Sequence, residues 1–329
     1  MNALIVCHAG AGLGLGHLTR SLVVARAIHQ QLGAKVHLLI QGDPVQRADL
    51  DEFEHHFLGG EEDLLHAIRQ QVRHADAQVV ILDLHPRLVP SDIGGLLEEL
   101  RQGSCKAISI DGLVNHRSKL DLVFIPSFHF SPPAGSIGAA PILFGWDSFL
   151  LNVKRAPIEW KLGGQVLALT GGSDATGLGK TLPTLLNEAF ADDTELHWIT
   201  GPYAQQPVWP AFPRFSMVNH QSLSGLDDLM VEANYAVTVY GVSFFELLYY
   251  GVPTVVFSPY GGKDDAELAV IAKEGVALVA KDEIDAVGKL KELMEDHQLA
   301  ASLSQRARQR MSAKGGQKLA HAIAMLFAY

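Results

Sequence analysis

Cysteine is scarce in this chain of 329 residues, which contains only Cys7 and Cys105. Both stand within apolar runs, and two scattered thiols are too few for a zinc site. We therefore expect buried free thiols, a usage that fits a cytoplasmic protein. No stretch of about 18 uncharged apolar residues occurs, which excludes a membrane-spanning helix. The opening residues MNALIVCHAG have no basic segment before their apolar stretch, so they predict a first β-strand and not a signal peptide.

Basic residues are also in short supply, with 26 Lys and Arg against 36 Asp and Glu and a net charge of −10. A nucleic-acid-binding protein needs a basic face to neutralise phosphates, so this balance argues against a nucleic-acid partner. It does not argue against a nucleotide ligand, because backbone amides at a helix start hold phosphate locally. The length and the 48% apolar content are sufficient for two hydrophobic cores.

Short apolar runs alternate with helical patterns along the chain. Runs such as LIVCHA and VVILDL are typical of strands that are buried on both faces of a parallel sheet. We therefore expect an α/β protein with two doubly wound parallel sheets. The predicted strands are 3–7, 35–40, 78–83, 105–110, 165–170, 195–200, 235–240 and 253–258. The predicted helices are 17–32, 62–74, 90–102, 177–190, 225–233, 243–250 and 264–274, and the chain is mostly helical from 283 onwards.

The two halves meet around FLLNVKRAPIEWKLGG, a stretch with one proline and a glycine pair that suits a linker. This pattern predicts an N-terminal lobe over residues 1–155 and a C-terminal lobe over 164–315. A final helix over 316–329 is expected to pack back onto the first lobe.

A glycine-rich loop, HAGAGLGLGHLTR, joins the first strand to the first helix, where ligands of such sheets bind. Its glycines Gly10, Gly12, Gly14 and Gly16 recur at every second residue, so the dinucleotide fingerprint G-x-G-x-x-G is not met. The second strand also lacks the acidic end that would hold a ribose, which argues against NAD. Gly14 and Gly16 remain candidates for close backbone contact with an anionic ligand.

His17 follows these glycines at the helix start. A neutral imidazole there can accept a proton from water or from an acceptor hydroxyl near pH 7. The alternative is a histidine that caps the helix or contacts phosphate. Arg20, one turn later, is a candidate phosphate ligand, and pairing with an acidic residue of a neighbouring loop is an equally good interpretation.

The second half begins with a strand and a turn, LALTGGSDATGLGKTL. The letters GLGKT suggest a P-loop, but the motif G-x-x-x-x-G-K-[ST] requires glycine where Asp174 stands, and a carboxylate there repels phosphate. An NTPase is therefore disfavoured. Gly171, Gly172 and Ser173 either line a ligand site or make a tight turn.

A second turn follows the strand that ends at Tyr240, in TVYGVSFFELLYYGVPTVV. Ser243 and Glu246 have the spacing of a capping box, in which side chains satisfy the free amides of a helix start. The functional alternative is that the amides of Gly241, Val242 and Ser243 bind a diphosphate while Glu246 accepts hydrogen bonds from ribose hydroxyls.

Six segments in order resemble the UDP-sugar hydrolases of the pseudaminic-acid pathway and the related SpsG-like proteins, which are relatives of the MurG-like glycosyltransferases. GLGHLTRSLVVA is similar to the family's G-x-G-H-x-x-R-x-L-x-x-A, and YGVSFFELLYYGVPTVV to its G-G-S-x-x-x-E…G-x-P. The other four are VVILDLHP, ISIDGLVNHRSKLDLVFIPS, LFGWDSFLLNVKR and LTGGSDATGLGKTL. The match covers much of the chain.

This resemblance implies a GT-B fold of two Rossmann-like lobes with a cleft between them. His17 in the N-terminal lobe, on the sugar or acceptor side, is then the general base. The C-terminal lobe binds UDP through the glycines after Tyr240 and through Glu246. No cofactor and no metal are implied, since helix N-termini can stabilise the leaving diphosphate.

The resemblance also has departures, at positions that would border the sugar or the nucleotide. His85 stands after the strand-ending Asp83 where the family has a tyrosine. Lys263, Asp264 and Asp265 replace the family's Asn-Gln. We therefore count Asp83, His85 and Asp264 as further possible site residues.

The main interpretation is a cytoplasmic hydrolase that releases UDP from a UDP-linked amino or deoxy sugar in bacterial surface-glycan biosynthesis. One alternative is a glycosyltransferase with a UDP-sugar donor. Another is a nucleotide-sugar-binding protein without catalysis, which would keep Glu246 and the glycines and would not need His17.

Overall fold

A computed structural model describes residues 1–10, 13–133, 138–221 and 226–328. The chain forms two compact units, the first made of Met1–Asn152 with Ala313–Tyr329 and the second of Val153–Ser312. Each unit is an α/β layer structure built on its own parallel sheet. Within the described residues, every helix falls short of the length and apolarity that a membrane span requires.

The first unit contains a seven-stranded parallel sheet in the order β3-β2-β1-β4-β5-β6-β7. Its strands are β1 (Asn2–Ala9), β2 (Lys35–Gly42), β3 (Glu54–Leu58), β4 (Val79–Asp83), β5 (Lys106–Ile110), β6 (Leu122–Phe124) and β7 (Ile142–Leu143). Helices α1 (Gly16–Leu32), α2 (Leu64–His74) and α3 (Ile93–Gln102) connect the first strands. The chain order reverses between β1 and β4, which is the point where doubly wound sheets bind ligands.

The apolar side chains of the first sheet pack into two hydrophobic cores, one on each face of the sheet. Along β1, Ile5 and Cys7 pack toward α1, whereas Leu4 and Val6 pack toward α2 and α3. Alternate residues of a strand point to opposite faces, so an uninterrupted apolar run fills both layers. The free cysteines Cys7 and Cys105 are buried, as the sequence predicted.

The helix α10 (Gly315–Leu326) belongs to the first unit and packs against α1. Two glycines allow this close approach. A Cβ on Gly315 would lie 2.2 Å from the carbonyl oxygen of Phe149, and one on Gly316 would lie 3.0 Å from the Ala27 methyl.

The second unit contains a six-stranded parallel sheet in the order β10-β9-β8-β11-β12-β13. Its strands are β8 (Gln165–Leu169), β9 (Glu195–Ile199), β10 (Ser216–His220), β11 (Tyr235–Val239), β12 (Thr254–Phe257) and β13 (Leu278–Val279). Its helices are α4 (Leu182–Ala189), α5 (Leu226–Glu232), α6 (Val242–Tyr250), α7 (Asp265–Glu274), α8 (Glu283–Glu295) and α9 (His297–Arg310). The order reverses between β8 and β11. The predicted fold class, two doubly wound parallel sheets, is confirmed.

Candidate functional site

The first cluster of candidate residues lies at the switch point of the first sheet. His17 stands in the first turn of α1, and Asp83 is the last residue of β4, the strand beside β1. His17 Nδ1 lies 2.7 Å from Asp83 Oδ1. The fold therefore joins two residues that are 66 positions apart in the chain.

The proton positions on His17 follow from its partners. Nδ1 also lies 3.0 Å from Arg20 Nη2, which can only donate, but the carboxylate is the shorter contact and only accepts. We therefore assign the proton to Nδ1, which donates a hydrogen bond to Asp83 and makes none with Arg20. The lone pair is then on Nε2, which has no hydrogen-bond partner among the described residues. The side chain of His17 is 15% exposed, so this nitrogen is held in one orientation without being sealed from ligands.

Arg20 completes this cluster by binding the same carboxylate. Its Nε lies 2.7 Å from Asp83 Oδ2 and its Nη2 2.6 Å from Asp83 Oδ1. Its Nη1 donates to Asp111 Oδ2 over 2.8 Å. Of the two interpretations offered by the sequence, the structure shows the pairing with acidic residues. Both carboxylates come from strand ends, which is why the pairing is possible.

Burial and charge set the ionisation of this cluster. Asp83 is fully buried, which alone would raise the pKa of its carboxyl, but Arg20 and His17 outweigh burial and hold that pKa below its usual range. For Arg20 the signs are reversed. Burial alone would lower its pKa, but the negative charges of Asp83 and Asp111 outweigh burial and raise that pKa above its ordinary value. Asp83 is therefore an anion that can stabilise a proton arriving on His17.

His85 and His8 extend the cluster to the other face of the sheet. The His85 ring meets the His17 ring edge-on with centroids 5.7 Å apart, and the His85 amide donates to His8 Nδ1 over 2.9 Å. His8 Nε2 therefore carries the proton and donates to Gln41 Oε1 over 3.2 Å. Sequence reasoning missed His8 and Gln41. The available signal was a histidine at the end of the apolar run LIVCHA.

The glycines of this loop have different roles. Gly14 has a positive φ of 74° and pairs with Gly10 in an isolated bridge. Gly16 is the first residue of α1, and the residue before it, Leu15, makes no side-chain cap to the first amides of the helix. Gly12 lies outside the described residues. In the part of the chain that the structure describes, no side chain caps the amides at the start of α1, as the anion-binding prediction for Gly14 and Gly16 requires.

In the second unit, Gly171, Gly172 and Ser173 form the turn after β8. Gly171 has a positive φ of 88°, and the Gly172 carbonyl accepts a hydrogen bond from the Tyr203 amide. Asp174 then accepts from the amides of Leu178 and Gly179, which begin a short 3-10 helix before α4. A side-chain carboxylate thus takes the amides that a P-loop would offer to phosphate.

The turn after β11 corrects one interpretation of the sequence. The capping box is wrong, because α6 begins at Val242 with Gly241 as its N-cap and no side-chain cap. Ser243 is the second helical residue, two positions after the N-cap, so its hydroxyl does not cap the helix. No side chain of the described residues caps the first-turn amides of α6. Glu246 lies in the second turn and is 8% exposed.

Asp264 lies after β12, where it accepts a hydrogen bond from the Ser258 hydroxyl over 2.5 Å. The neighbouring Lys263 ammonium stands over the Tyr260 ring, 5.2 Å from its centroid. In the described part of the chain, no group of three or more His, Cys, Asp and Glu side chains is arranged to hold a metal ion.

No protein-family model and no curated protein matches the chain. Solved structures do match. MurG from Acinetobacter baumannii is 15% identical with a TM-score of 0.68, over 99% of this chain and 100% of that chain. UGT2 from Phytolacca americana, complexed with UDP-2fluoro-glucose and pterostilbene, gives the same four values. CalG4, the calicheamicin glycosyltransferase, is 13% identical with a TM-score of 0.66, over 98% and 97%. At these identities the likeness establishes the fold, which is GT-B.

Proposed function

We propose that this protein is an enzyme that breaks the bond between sugar and diphosphate in a UDP-sugar and transfers the sugar to an acceptor. The observation that carries the proposal is the 2.7 Å contact between His17 Nδ1 and Asp83, at the switch point of a GT-B sheet. It leaves Nε2 of His17 as a basic nitrogen beside the glycine loop. Two solved structures of similar fold, one with a UDP-sugar and one described as a glycosyltransferase, support the same substrate class.

The chemistry assigned to His17 is general-base catalysis. Nε2 takes the proton of the attacking hydroxyl while that oxygen forms a bond to the anomeric carbon of the sugar. The bond from that carbon to the diphosphate oxygen breaks, and UDP leaves with the electron pair. Asp83 stabilises the imidazolium that results. A positioned base of this kind contributes about 10²- to 10⁴-fold in rate.

The nucleotide is assigned to the second unit. The uncapped amides at Val242 and Ser243 suit the diphosphate, because the start of a helix favours negative charge. Glu246 is the candidate for the ribose hydroxyls. Gly171–Ser173 supplies a further stretch of accessible backbone at the neighbouring strand end.

Hydrolysis of the same donor is the second candidate function. The ordered set of six segments favours it, because those segments resemble a family of UDP-sugar hydrolases, and the sugar would then be an amino or deoxy sugar of a surface glycan. Membership of that family stays a prediction, as does a cytoplasmic location. Water in place of an acceptor hydroxyl changes nothing in the role of His17.

The test is UDP release from UDP-glucose and UDP-N-acetylglucosamine, measured with and without a panel of hydroxyl and amine acceptors. Turnover that needs an acceptor supports transfer, and equal turnover without one supports hydrolysis. The variant His17→Ala should lose at least about 100-fold in rate while it binds UDP normally. Unchanged turnover in that variant would remove the base assignment.

Binding is measured separately through the melting temperature. UDP at 100 times its dissociation constant should stabilise the protein by about 2.7 kcal/mol. Glu246→Gln should reduce this stabilisation, whereas Glu188→Gln, on α4, should not. If UDP stabilises the protein and no UDP-sugar is consumed under any condition, the chain is a binding protein without catalysis.

A further inference from the structure

A cavity of about 400 Å³ opens in the first unit, at the carboxyl ends of β1 to β4 and the start of α2. This volume is within the range of small-molecule sites. Its walls combine apolar, acidic and amide side chains, among them Leu13, Leu65, Leu88, Glu62, Asp63 and Gln41. None of the candidate site residues predicted from the sequence lines it.

The cavity is connected to the His17 cluster by a chain of contacts. Gln41, in the cavity wall, accepts a hydrogen bond from His8 Nε2. His8 Nδ1 in turn accepts one from the backbone amide of His85, whose ring packs on the ring of His17. Gln41 is 8% exposed and its amide nitrogen donates to the Glu62 carbonyl oxygen. The cavity wall and the base thus belong to one hydrogen-bonded and packed network at one edge of the sheet.

The charge of the lining selects against anions. Glu62 and Asp63 supply carboxylates, and no Lys, Arg or His is among the described residues that line the cavity. Asp63 uses one oxygen to accept from the His66 amide, which caps α2 and removes the attraction that a bare helix start offers to anions. The leucine side chains of the wall provide apolar contact.

We propose that this cavity binds the acceptor, and that the acceptor is a compact organic amine with an apolar body. The proposal rests on the proposed function and adds the class of acceptor. The ammonium group lies by the Glu62 and Asp63 carboxylates, and the apolar body packs on Leu13, Leu65 and Leu88.

The experiment compares three probes of one size: tyramine, 2-(4-hydroxyphenyl)ethanol and 4-hydroxyphenylacetate. Their dissociation constants are measured by calorimetry on the whole protein with UDP present. We expect tyramine to bind tightest and the acetate at least tenfold more weakly than tyramine. Glu62→Gln should weaken tyramine about fivefold without affecting the alcohol. The matched control is Glu61→Gln, an exposed neighbour outside the lining, which should change nothing.

A second variant fills the cavity. Gly60 lines the cavity, and a Cβ at this position would meet no atom within 4 Å, so a side chain can be attached there without a backbone clash. Gly60→Trp should therefore abolish binding of tyramine and of the alcohol. Gly288→Trp is the control, because Gly288 is exposed on α8 and equally open. UDP stabilisation should be unchanged in both variants.

The outcomes separate this inference from the proposed function. Suppose first that UDP binds and UDP-sugar is consumed. The cavity assignment alone is then overturned by any of three results: equal affinity for tyramine and the acetate, tyramine binding in Gly60→Trp, or no binding of any probe. If tyramine binds as expected and UDP neither stabilises the protein nor is released from any UDP-sugar, the proposed function fails and the acceptor role fails with it.

Discussion

Replacing Asp83 by Asn tests the central cluster with a change of almost no volume. The Asp83 carboxylate is fully buried and accepts from His17 Nδ1 and from two nitrogens of Arg20. An amide offers one oxygen and one NH₂ group, so at least one of these donors would face another donor. The guanidinium of Arg20, which is 12% exposed, would also lose its buried counter-charge.

The magnitude follows from this burial. Removing one partner of a buried ion pair costs about 3–5 kcal/mol. Arg20 keeps its contact with Asp111, whose side chain is 46% exposed, so we expect the lower end, about 3 kcal/mol. For a unit of this size that corresponds to a fall of roughly 6–12 °C in melting temperature. The rate should fall by about 10²-fold or more, because the protonated form of His17 loses the negative charge that stabilises it.

The assay is urea unfolding together with UDP release. Glu99→Gln is the control, because the Glu99 side chain of the Arg69–Glu99 pair is 54% exposed and such surface pairs contribute about 1 kcal/mol at most. The double variant Asp83→Leu with Arg20→Met should recover stability without recovering turnover, since both charges are then absent. A loss under about 0.5 kcal/mol in Asp83→Asn would refute the reasoning.

Three further predictions concern the same edge of the sheet. Burial lowers the pKa of His8 in the folded protein, so its neutral form stabilises the fold above pH 6.5 and that stability is lost as pH falls through the folded pKa. The free energy of unfolding in urea should therefore change with pH by at most about 1.4 kcal/mol per pH unit, and His8→Asn should lack this dependence. Gly42→Ala should cost about 3 kcal/mol in urea unfolding, since its Cβ would lie 1.8 Å from the Ala9 carbonyl oxygen at a φ of +133°, whereas Gly60→Ala should be neutral. Burial raises the pKa of Cys7 to about 12, so iodoacetamide at pH 8 should label it in the native protein far more slowly than in urea.

The fold was predictable where strands are buried on both faces. β1 and β4 are apolar at nearly every position, and the sequence placed both. It missed β3 (EHHFL) and β10 (SMVNH), which are edge strands with partly exposed side chains, and it missed the short β6, β7 and β13. An edge strand has one neighbour and often one wet face, so no apolar run marks it.

The sequence was enough to name the candidate residues of the first unit, but it did not predict the contacts between them. His17, Arg20 and Asp83 each followed from position, at a helix start or a strand end. Their mutual binding depends on β4 lying next to β1, an order that local patterns do not specify. The capping-box prediction failed for a local reason. The sequence S-x-x-E can also occur within the helix itself, and here the N-cap is Gly241, before the serine.

The distribution of charge supports a division of roles between the two units. At the strand ends of the first unit, carboxylates dominate, and Arg20 is already paired with two of them. The amides at the start of α1 therefore lie near the Asp83 and Asp111 carboxylates, which repel a diphosphate, and we expect the amides at the start of α6 to bind it instead. Val242→Pro tests this division. Proline is favoured at the first helical position, and the extended backbone of Gly241 is compatible with a following proline, so the substitution removes the Val242 N–H without disturbing the helix. UDP should bind about tenfold or more weakly, since hydrogen bonds to charged groups contribute about 1.5–3 kcal/mol, while Val242→Ala should bind normally. Normal UDP binding by the proline variant would place the diphosphate elsewhere.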